Sequence, residues 1–264
     1  MMKNIPIILI LICFGFINWR CTKKPIDLVG PTSAVDGFAY LKIGHFSTNF
    51  KNIVGSNKDS FNVYVNGNKI NGAFMTYGSI FPSTANLYAK VPAGSQLIRL
   101  TLNGAISPDS LTLVGFSKNL IAGNYYSLIM NDSLFSPNES KQMFIQDNFS
   151  IADSNHFTVR LIHAILNDSA GKNIDVYSTR LSANMFSNIS PGTITPYITE
   201  PYNVVADTLI VRRAGSLFEL ARYSTVNNTN GVLLARQRAF TLLYKGTPVN
   251  TGTKPRSLIN FANL

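Results

Sequence analysis

The chain has 264 residues, of which 45% are hydrophobic and only 14% are charged, against roughly 25% charged in ordinary soluble domains. This length suits about two domains with sizeable cores, and the formal charge of +10 comes from scattered basic residues, which argues against nucleic acid as a partner. Both cysteines, Cys13 and Cys21, lie close to the N-terminus, so the rest of the chain has no cysteine pair for a disulfide.

The N-terminus has the pattern of an export signal. Lys3 precedes an apolar run, residues 5–17, which has the length of a secretory signal and is short for a membrane span. Cys21 follows, and its position resembles that of the lipidated cysteine in bacterial lipoprotein precursors. Residues 18–20 are Asn-Trp-Arg where such precursors have small side chains, so an uncleaved signal anchor stays open as the alternative. We predict a signal sequence over residues 1–20 and a lipid anchor on Cys21.

The next segment, residues 21–37, is predicted to be a flexible tether, because it carries Lys, Pro, Gly and Ser without an apolar period. From residue 38 onward, short runs of alternating apolar and polar residues, rich in β-branched and aromatic side chains, predict strands. No window has a long helical period, so we expect very little helix. The strands predicted before residue 148 are 38–46, 60–66, 96–103, 111–116, 124–130 and 141–146.

Residues 148–155 are polar and lack an apolar pattern, which indicates a boundary between two domains. We predict one domain over residues 38–148 and a second over residues 156–264. The strands predicted after the boundary are 157–164, 173–178, 202–205, 208–213, 217–223, 231–235, 238–245 and 257–261. Short strands at this spacing favour sandwich or barrel folds.

The second domain repeats the plan of the first. An opening strand ends in His45 or His163, a following strand ends in Val-Tyr at Tyr64 or Tyr177, and a closing strand comes at nearly the same distance beyond each tyrosine. A unit of this size is too long for a solenoid repeat, so we interpret it as a domain used twice.

Motifs from the two copies together resemble a known family of exported bacterial proteins. The motifs are Val159-Arg160-Leu161-Ile162-His163, Ile174-Asp175-Val176-Tyr177, Val91-Pro92-Ala93-Gly94 and Ala122-Gly123-Asn124-Tyr125. They are similar to those of the domain of unknown function 4397, which often occurs in tandem. The resemblance implies an all-β chain of two tandem immunoglobulin-like antiparallel β-sandwich domains, and it implies no catalysis.

The repeated histidines are the first candidate site residues. Alternation places His45 at the end of the apolar row Leu41 and Ile43, and His163 at the end of the equivalent row, which predicts buried structural histidines. Neither has a nearby second histidine or a cysteine, so their spacing predicts no metal site. No nucleophile elbow, phosphate loop or zinc-protease motif occurs, and we predict no catalytic residues and no cofactor.

Two further sets of residues are candidates for contact with sugars. Tyr64 and Tyr177 fall on the strand face opposite the histidines and could form an aromatic platform for a glycan, although exposed strand tyrosines are common. Four Asp-Ser or Asp-Thr pairs resemble the acceptor of a general bacterial O-glycosylation system, although such pairs also favour turns. The four acceptor residues are Ser110, Ser133, Ser169 and Thr208.

The sequence therefore predicts an exported lipoprotein of the Gram-negative cell envelope, anchored in the outer membrane and facing either the periplasm or the surface. We expect a non-catalytic binding or adhesion role, with a glycan, meaning a polysaccharide, or an envelope protein as partner. The alternatives are a structural spacer or assembly partner and, less favoured, an envelope hydrolase, which needs two convergent carboxylates or a Ser-His pair.

Overall fold

A computed structural model describes residues 28–29, 37–48, 60–102, 112–131, 142–151, 153–166, 168, 172–203, 207–224, 234–248 and 254–264. Within these ranges the chain is all-β and contains no helix, as the alternating sequence pattern predicts. The predicted anchor residue Cys21 lies outside them. Leu28–Val29 form a short strand within the segment predicted to be a tether, so part of that segment pairs with the body of the protein.

Nineteen strands occur in the described ranges. In chain order they are β1 Leu28–Val29, β2 Phe38–His45, β3 Ser60–Val65, β4 Asn68–Lys69, β5 Met75–Thr76, β6 Ile80–Phe81, β7 Tyr88–Pro92, β8 Gly94–Leu102, β9 Thr112–Leu120, β10 Tyr125–Met130, β11 Met143–Gln146, β12 His156–His163, β13 Ile174–Ser178, β14 Ala183–Ile189, β15 Ile198–Pro201, β16 Thr208–Arg213, β17 Glu219–Ser224, β18 Ala239–Lys245 and β19 Ser257–Asn263.

The strands form four sheets, two from each half of the chain. In the first half, sheet A has the order β1-β7-β2-β10-β11 with β6 also on β2, and sheet B has the order β4-β3-β8-β9 with β5 also on β3. In the second half, sheet C has the order β15-β12-β18-β19 and sheet D the order β14-β13-β16-β17. Each half is therefore a β-sandwich-like pair of sheets.

The two halves share an unusual strand pairing. Strands β2 and β10 are parallel, and so are β12 and β18, whereas the other pairs within the four sheets are antiparallel. Leu41 lies opposite Tyr126, and Val159 lies opposite Phe240, so the registers of the two halves are equivalent. The prediction of a purely antiparallel sandwich is wrong at this pair, because the closing strand returns from sheet B or D pointing the same way as the opening strand.

Each half has its own hydrophobic core between its two sheets. In the first, Leu41 and Ile43 of sheet A pack with Phe61 and Val63 of sheet B. In the second, sheets C and D contribute their inward-facing residues in the same way. These residues alternate along their strands with residues that point to the opposite face, as the pleat of a strand requires.

A third hydrophobic cluster, which we call the seam, joins the halves. It lies between sheets A and C, on the faces that point away from the two cores, and its rings include Phe46 and Phe261, with centroids 6.1 Å apart. Its fully or largely buried members are Tyr40, Phe46, Tyr88, Ile129, Met143, Ile145, Ile162, Ala164, Leu243, Phe261, Ala262 and Leu264. The sheets are therefore stacked in the order B, A, C, D, and the halves pack side by side.

The opening strands of both halves point toward the same end of the molecule, which we call the histidine end. Asn131 Nδ2, beyond the end of β10, donates to the carbonyl of Ala164, beyond the end of β12, over 3.3 Å. Lys254 Nζ donates to the carbonyl of Thr48, beyond the end of β2, over 3.0 Å. Because these contacts join equivalent strand ends, His45 and His163 lie toward the same end.

Several strands of the second half differ from the prediction. A strand was predicted over residues 202–205, but the structure has β15 four residues earlier, and residues 204–206 lie outside the described ranges. Residues 234–235 are not in a strand, although they fall in the predicted strand 231–235. The unpredicted β14 is a half-exposed edge strand, so it lacks the apolar alternation that marks strands packed on a core.

Gly44 allows the seam to close, and replacing it tests how tightly the halves pack. A Cβ at this position would lie 2.8 Å from Phe261 Cε2 and closer still to Phe46 Cε2. We expect Gly44→Ala to lower the free energy of unfolding by about 1–3 kcal/mol, the usual effect of overpacking, in urea denaturation. Gly115→Ala is the matched strand control, since the nearest atom to its Cβ is 4.0 Å away. Equal stability of the two variants would contradict a closed seam.

Candidate functional site

Both repeated histidines lie inside the sandwiches. The side chains of His45 and His163 are fully buried, which confirms that they extend the apolar rows of β2 and β12. The ring of His45 packs against Phe61 with centroids 4.7 Å apart, and that of His163 meets Tyr244 edge-on at 5.1 Å. Burial lowers the pKa of His163 to about 4, so the ring is neutral at pH 7.

An ion pair lies beside His163 at the histidine end. Arg256 Nη2 donates to Asp168 Oδ1 over 2.5 Å, and both side chains are almost fully buried. Arg256 also donates to the carbonyls of Thr247 and Pro248. The second oxygen, Asp168 Oδ2, is 4.0 Å from His163 Nε2, which is too long for a hydrogen bond. The cluster fastens the segment before β13 to the segment before β19, and we assign it a structural role.

A second polar cluster is buried in the seam. Arg160 donates through Nη2 to Asp147 Oδ1, and these two side chains expose 5% and 0% of their surface. Arg160 Nε donates to Thr241 Oγ1 over 3.0 Å, and the guanidinium lies 4.8 Å from the ring centre of Tyr197. Since Asp147 follows β11 and Arg160 belongs to β12, the pair joins the two halves in a site that excludes water.

Asp147 also accepts hydrogen bonds from the first half. Tyr88 donates its hydroxyl to Asp147 Oδ2 over 3.0 Å, and Ser127 donates to the same oxygen over 2.5 Å. The neighbouring Lys42 ammonium donates to the carbonyls of Thr84 and Leu87, each over 2.8 Å. Burial lowers the pKa of Lys42 to about 7, and the Asp147 carboxylate opposes this shift. This cluster therefore brings two basic side chains, Lys42 and Arg160, near the carboxylate of Asp147.

The two halves contribute equivalent residues to this cluster. Lys42 lies opposite Ser127, just as Arg160 lies opposite Thr241. Each cation also lies near a tyrosine ring, with Lys42 5.2 Å from the centre of Tyr88. The sequence prediction missed this cluster, although the repeated basic residue within the two opening strands was the signal that could have found it.

The two tyrosines of the predicted glycan platform lie far apart in the structure. Tyr64 and Tyr177 lie on the outer faces of sheets B and D, which are the two outermost layers of the stack, so they form no common surface. Tyr64 exposes only 5% of its surface, which leaves little ring for a sugar. Tyr177 is half-buried, and the guanidinium of Arg212 lies 3.8 Å from the centre of its ring.

The predicted O-glycosylation sites lie mostly outside the described ranges. Ser110, Ser133 and Ser169 belong to that part of the chain. Thr208 is half-buried at the start of β16, next to the buried Asp207. Asp207 accepts hydrogen bonds from Ser178 Oγ and from the backbone N–H of Arg180, so its carboxylate holds a turn, as short acidic side chains often do. Modification of these residues stays a prediction.

The described part of the chain contains no group of three or more His, Cys, Asp or Glu residues that could hold a metal ion. The same part contains no helix that is long and apolar enough to cross a membrane. Comparison with known proteins found no match: no family model matches the chain, and no curated protein matches it. The geometry of the described residues therefore carries the functional argument.

Proposed function

We propose that this protein is an exported, lipid-anchored binding or adhesion protein of the Gram-negative envelope, without catalytic activity. In this proposal Cys21 carries the lipid, and the two halves are tandem immunoglobulin-like domains related to the domain of unknown function 4397. The paired sheets of each half support the sandwich part of this assignment. The parallel pairs of β2 with β10 and β12 with β18 differ from the antiparallel sheets of antibody domains.

The observation that carries a binding role is a partly open aromatic ring beside a basic group on the outer face of sheet D. Tyr177 is half-buried, and the guanidinium of Arg212 lies 3.8 Å from the centre of its ring. Aromatic and basic side chains held on a rigid sheet are a common basis for recognition.

Three buried carboxylates of the described residues serve as structural partners. Asp147 and Asp168 form buried ion pairs, and Asp175 accepts from the backbone N–H groups of Asn188 and Gly215. A carboxylate whose oxygens are occupied inside a sheet is poorly placed to attack or protonate a substrate. This favours a binding protein over an envelope hydrolase.

The outer face of sheet D is the better of the two predicted glycan surfaces. Tyr177 presents a partly open ring next to Arg212. Tyr177 lies opposite Ile210 of β16, and Ile210 lies opposite Arg222 of β17, so Arg222 belongs to the same face of sheet D. An aromatic ring next to guanidinium groups can stack on a sugar and bind its acidic substituents. We therefore assign glycan contact, within this proposal, to Tyr177 and not to Tyr64.

Calorimetric titration tests this assignment, using the protein without residues 1–20 and with Cys21→Ser against neutral and acidic polysaccharides. We expect saturable binding of an acidic polysaccharide that Tyr177→Ala weakens by about tenfold, the effect of losing one good contact of about 1.4 kcal/mol. Tyr64→Ala is the matched control and is expected to leave the affinity unchanged. Equal losses in both variants, or no binding by the parent protein, would reject the glycan assignment.

The alternative of a structural spacer receives less support from this arrangement. The two sandwiches pack side by side through the seam, whereas a spacer extended along its strands needs units joined end to end. An assembly role for an envelope protein partner remains the second candidate, because the outer face of sheet D is equally suited to a protein surface. Saturable cross-linking to one envelope protein, without glycan binding, would favour it.

A further inference from the structure

The hairpin between β16 and β17 exposes two large apolar side chains at the histidine end. Leu217 exposes 84% of its surface and Phe218 exposes 58%, and they are adjacent in sequence. Most large apolar residues of the described chain are buried in the two cores and the seam. An adjacent exposed pair at a hairpin tip therefore calls for a contact outside the chain.

The tip that carries this pair is well ordered by hydrogen bonds. The backbone N–H of Arg213 donates to the carbonyl of Phe218 over 3.0 Å, and that of Ser216 donates back to the carbonyl of Arg213 over 3.0 Å. Gly215 donates its N–H to the buried Asp175 carboxylate over 3.0 Å. Because the backbone is held from inside the sheet, Leu217 and Phe218 are exposed by the fold and not by fraying.

Basic residues occur in and near the hairpin that carries the apolar pair. Arg213 is exposed, with its guanidinium 5.0 Å from the ring centre of Phe218, and Lys172 is exposed next to Asn173, whose carbonyl accepts from the tip residue Ala214. Arg222 is paired with Glu219 through two hydrogen bonds of 3.0 and 2.7 Å. Arg213 and Lys172 therefore place two exposed basic residues near the apolar pair.

We propose that residues 213–218 form a membrane-contacting tip, in which Leu217 and Phe218 enter the interfacial region of a bilayer with anionic headgroups. Apolar side chains rimmed by Arg and Lys are the combination that binds such an interface, because the apolar part leaves water while the cations meet lipid phosphates. This inference rests on the proposed function, since it adds a second membrane contact to a protein proposed to be lipid-anchored.

Strand β1 shows from which end the chain enters the fold. Leu28 pairs with Ala89, which lies opposite Leu41 near the middle of β2. Because β1 and β2 are both antiparallel to β7, the chain enters β1 from the end opposite the histidine end. Seven residue steps separate Cys21 from Leu28 and span at most about 25 Å, so the anchor and the tip reach one bilayer only if this segment turns back toward the histidine end.

Tryptophan fluorescence can locate the tip, because Trp19 is the single tryptophan of the chain. The test protein is the full chain with Trp19→Phe and Phe218→Trp, in vesicles of phosphatidylcholine and phosphatidylglycerol whose acyl chains are brominated near the headgroup. The matched control carries Trp19→Phe and Ile121→Trp. Ile121 is 56% exposed and lies at the opposite end, where the N–H of Gly123 donates to the carbonyl of Phe38.

We expect bromine quenching at position 218 to be about threefold or more stronger than at position 121, and to fall when phosphatidylglycerol is omitted. Flotation of the same samples reports separately whether the chain is held by the membrane. A chain that floats with position 218 unquenched overturns the tip but leaves the anchor intact, and it assigns Leu217 and Phe218 to a protein partner. A chain that fails to float overturns both the tip and the membrane anchor.

Discussion

Replacing Asp147 with alanine is expected to lower the free energy of unfolding by about 3–5 kcal/mol, because the change leaves the Arg160 guanidinium buried without its carboxylate. The side chains of Arg160 and Asp147 expose 5% and 0% of their surface, so water cannot replace the lost partner. The hydroxyls of Tyr88 and Ser127 lose their acceptor at the same time. Urea denaturation at neutral pH, followed by circular dichroism, measures the loss.

Two further variants show whether the effect comes from an unpaired buried charge. Asp153→Ala removes an exposed carboxylate only six residues away in sequence and is expected to leave stability nearly unchanged. Combining Asp147→Asn with Arg160→Met removes both charges while keeping an acceptor for Tyr88, so we expect it to recover most of the loss. A loss below about 1 kcal/mol in Asp147→Ala would mean that the seam is open to water.

The second large effect is a loss of stability in acid that depends on His163. Burial lowers the pKa of this histidine from 6.5 to about 4, so between these values the unfolded chain binds a proton that the folded protein does not. The free energy of unfolding is therefore not reduced by His163 above pH 6.5, and it falls as the pH is lowered from 6.5 toward 4. A difference of this size corresponds to about 3 kcal/mol.

The measurement is urea denaturation at several pH values between 7 and 4, compared with His163→Leu. Because leucine cannot titrate, we expect the variant to lose about 3 kcal/mol less than the parent protein over this range. His156→Leu is the control, since His156 is partly exposed beside Asp153 and its removal leaves the buried histidine in place. The same acid loss in the His163→Leu variant and the parent protein would contradict a buried neutral histidine.

Strands that border the cores were predictable from the sequence because their alternation is a local property of the backbone. Strands β2, β3, β10 and β12 begin and end within one or two residues of their predicted limits, and β16 matches its prediction at both ends. Tyr126 and Phe240 hold equivalent places in the two closing strands, because they lie opposite Leu41 and Val159. Edge strands such as β14 were missed, because a strand with little core contact needs no apolar row.

Lys42 and Arg160 show that the alternation of side chains along a strand does not determine what covers each face. In a two-layer sandwich, a basic residue on the face opposite the core usually marks solvent. Here that face is covered by the other half, so both cations are buried in the seam. The alternation establishes that Lys42 shares a face with Tyr40 and Gly44, but it carries no information on what packs against that face.

By itself, the sequence determined the all-β class, the repeated plan and the burial of His45 and His163, because each depends on residues close together in one strand. Only the tertiary structure decided that sheets A and C pack face to face, that Tyr64 and Tyr177 lie on opposite outer layers, and that Leu217 and Phe218 stand exposed. The reason is physical: a strand's pleat sorts its side chains into two faces, while the covering of each face depends on sheets built from distant parts of the chain.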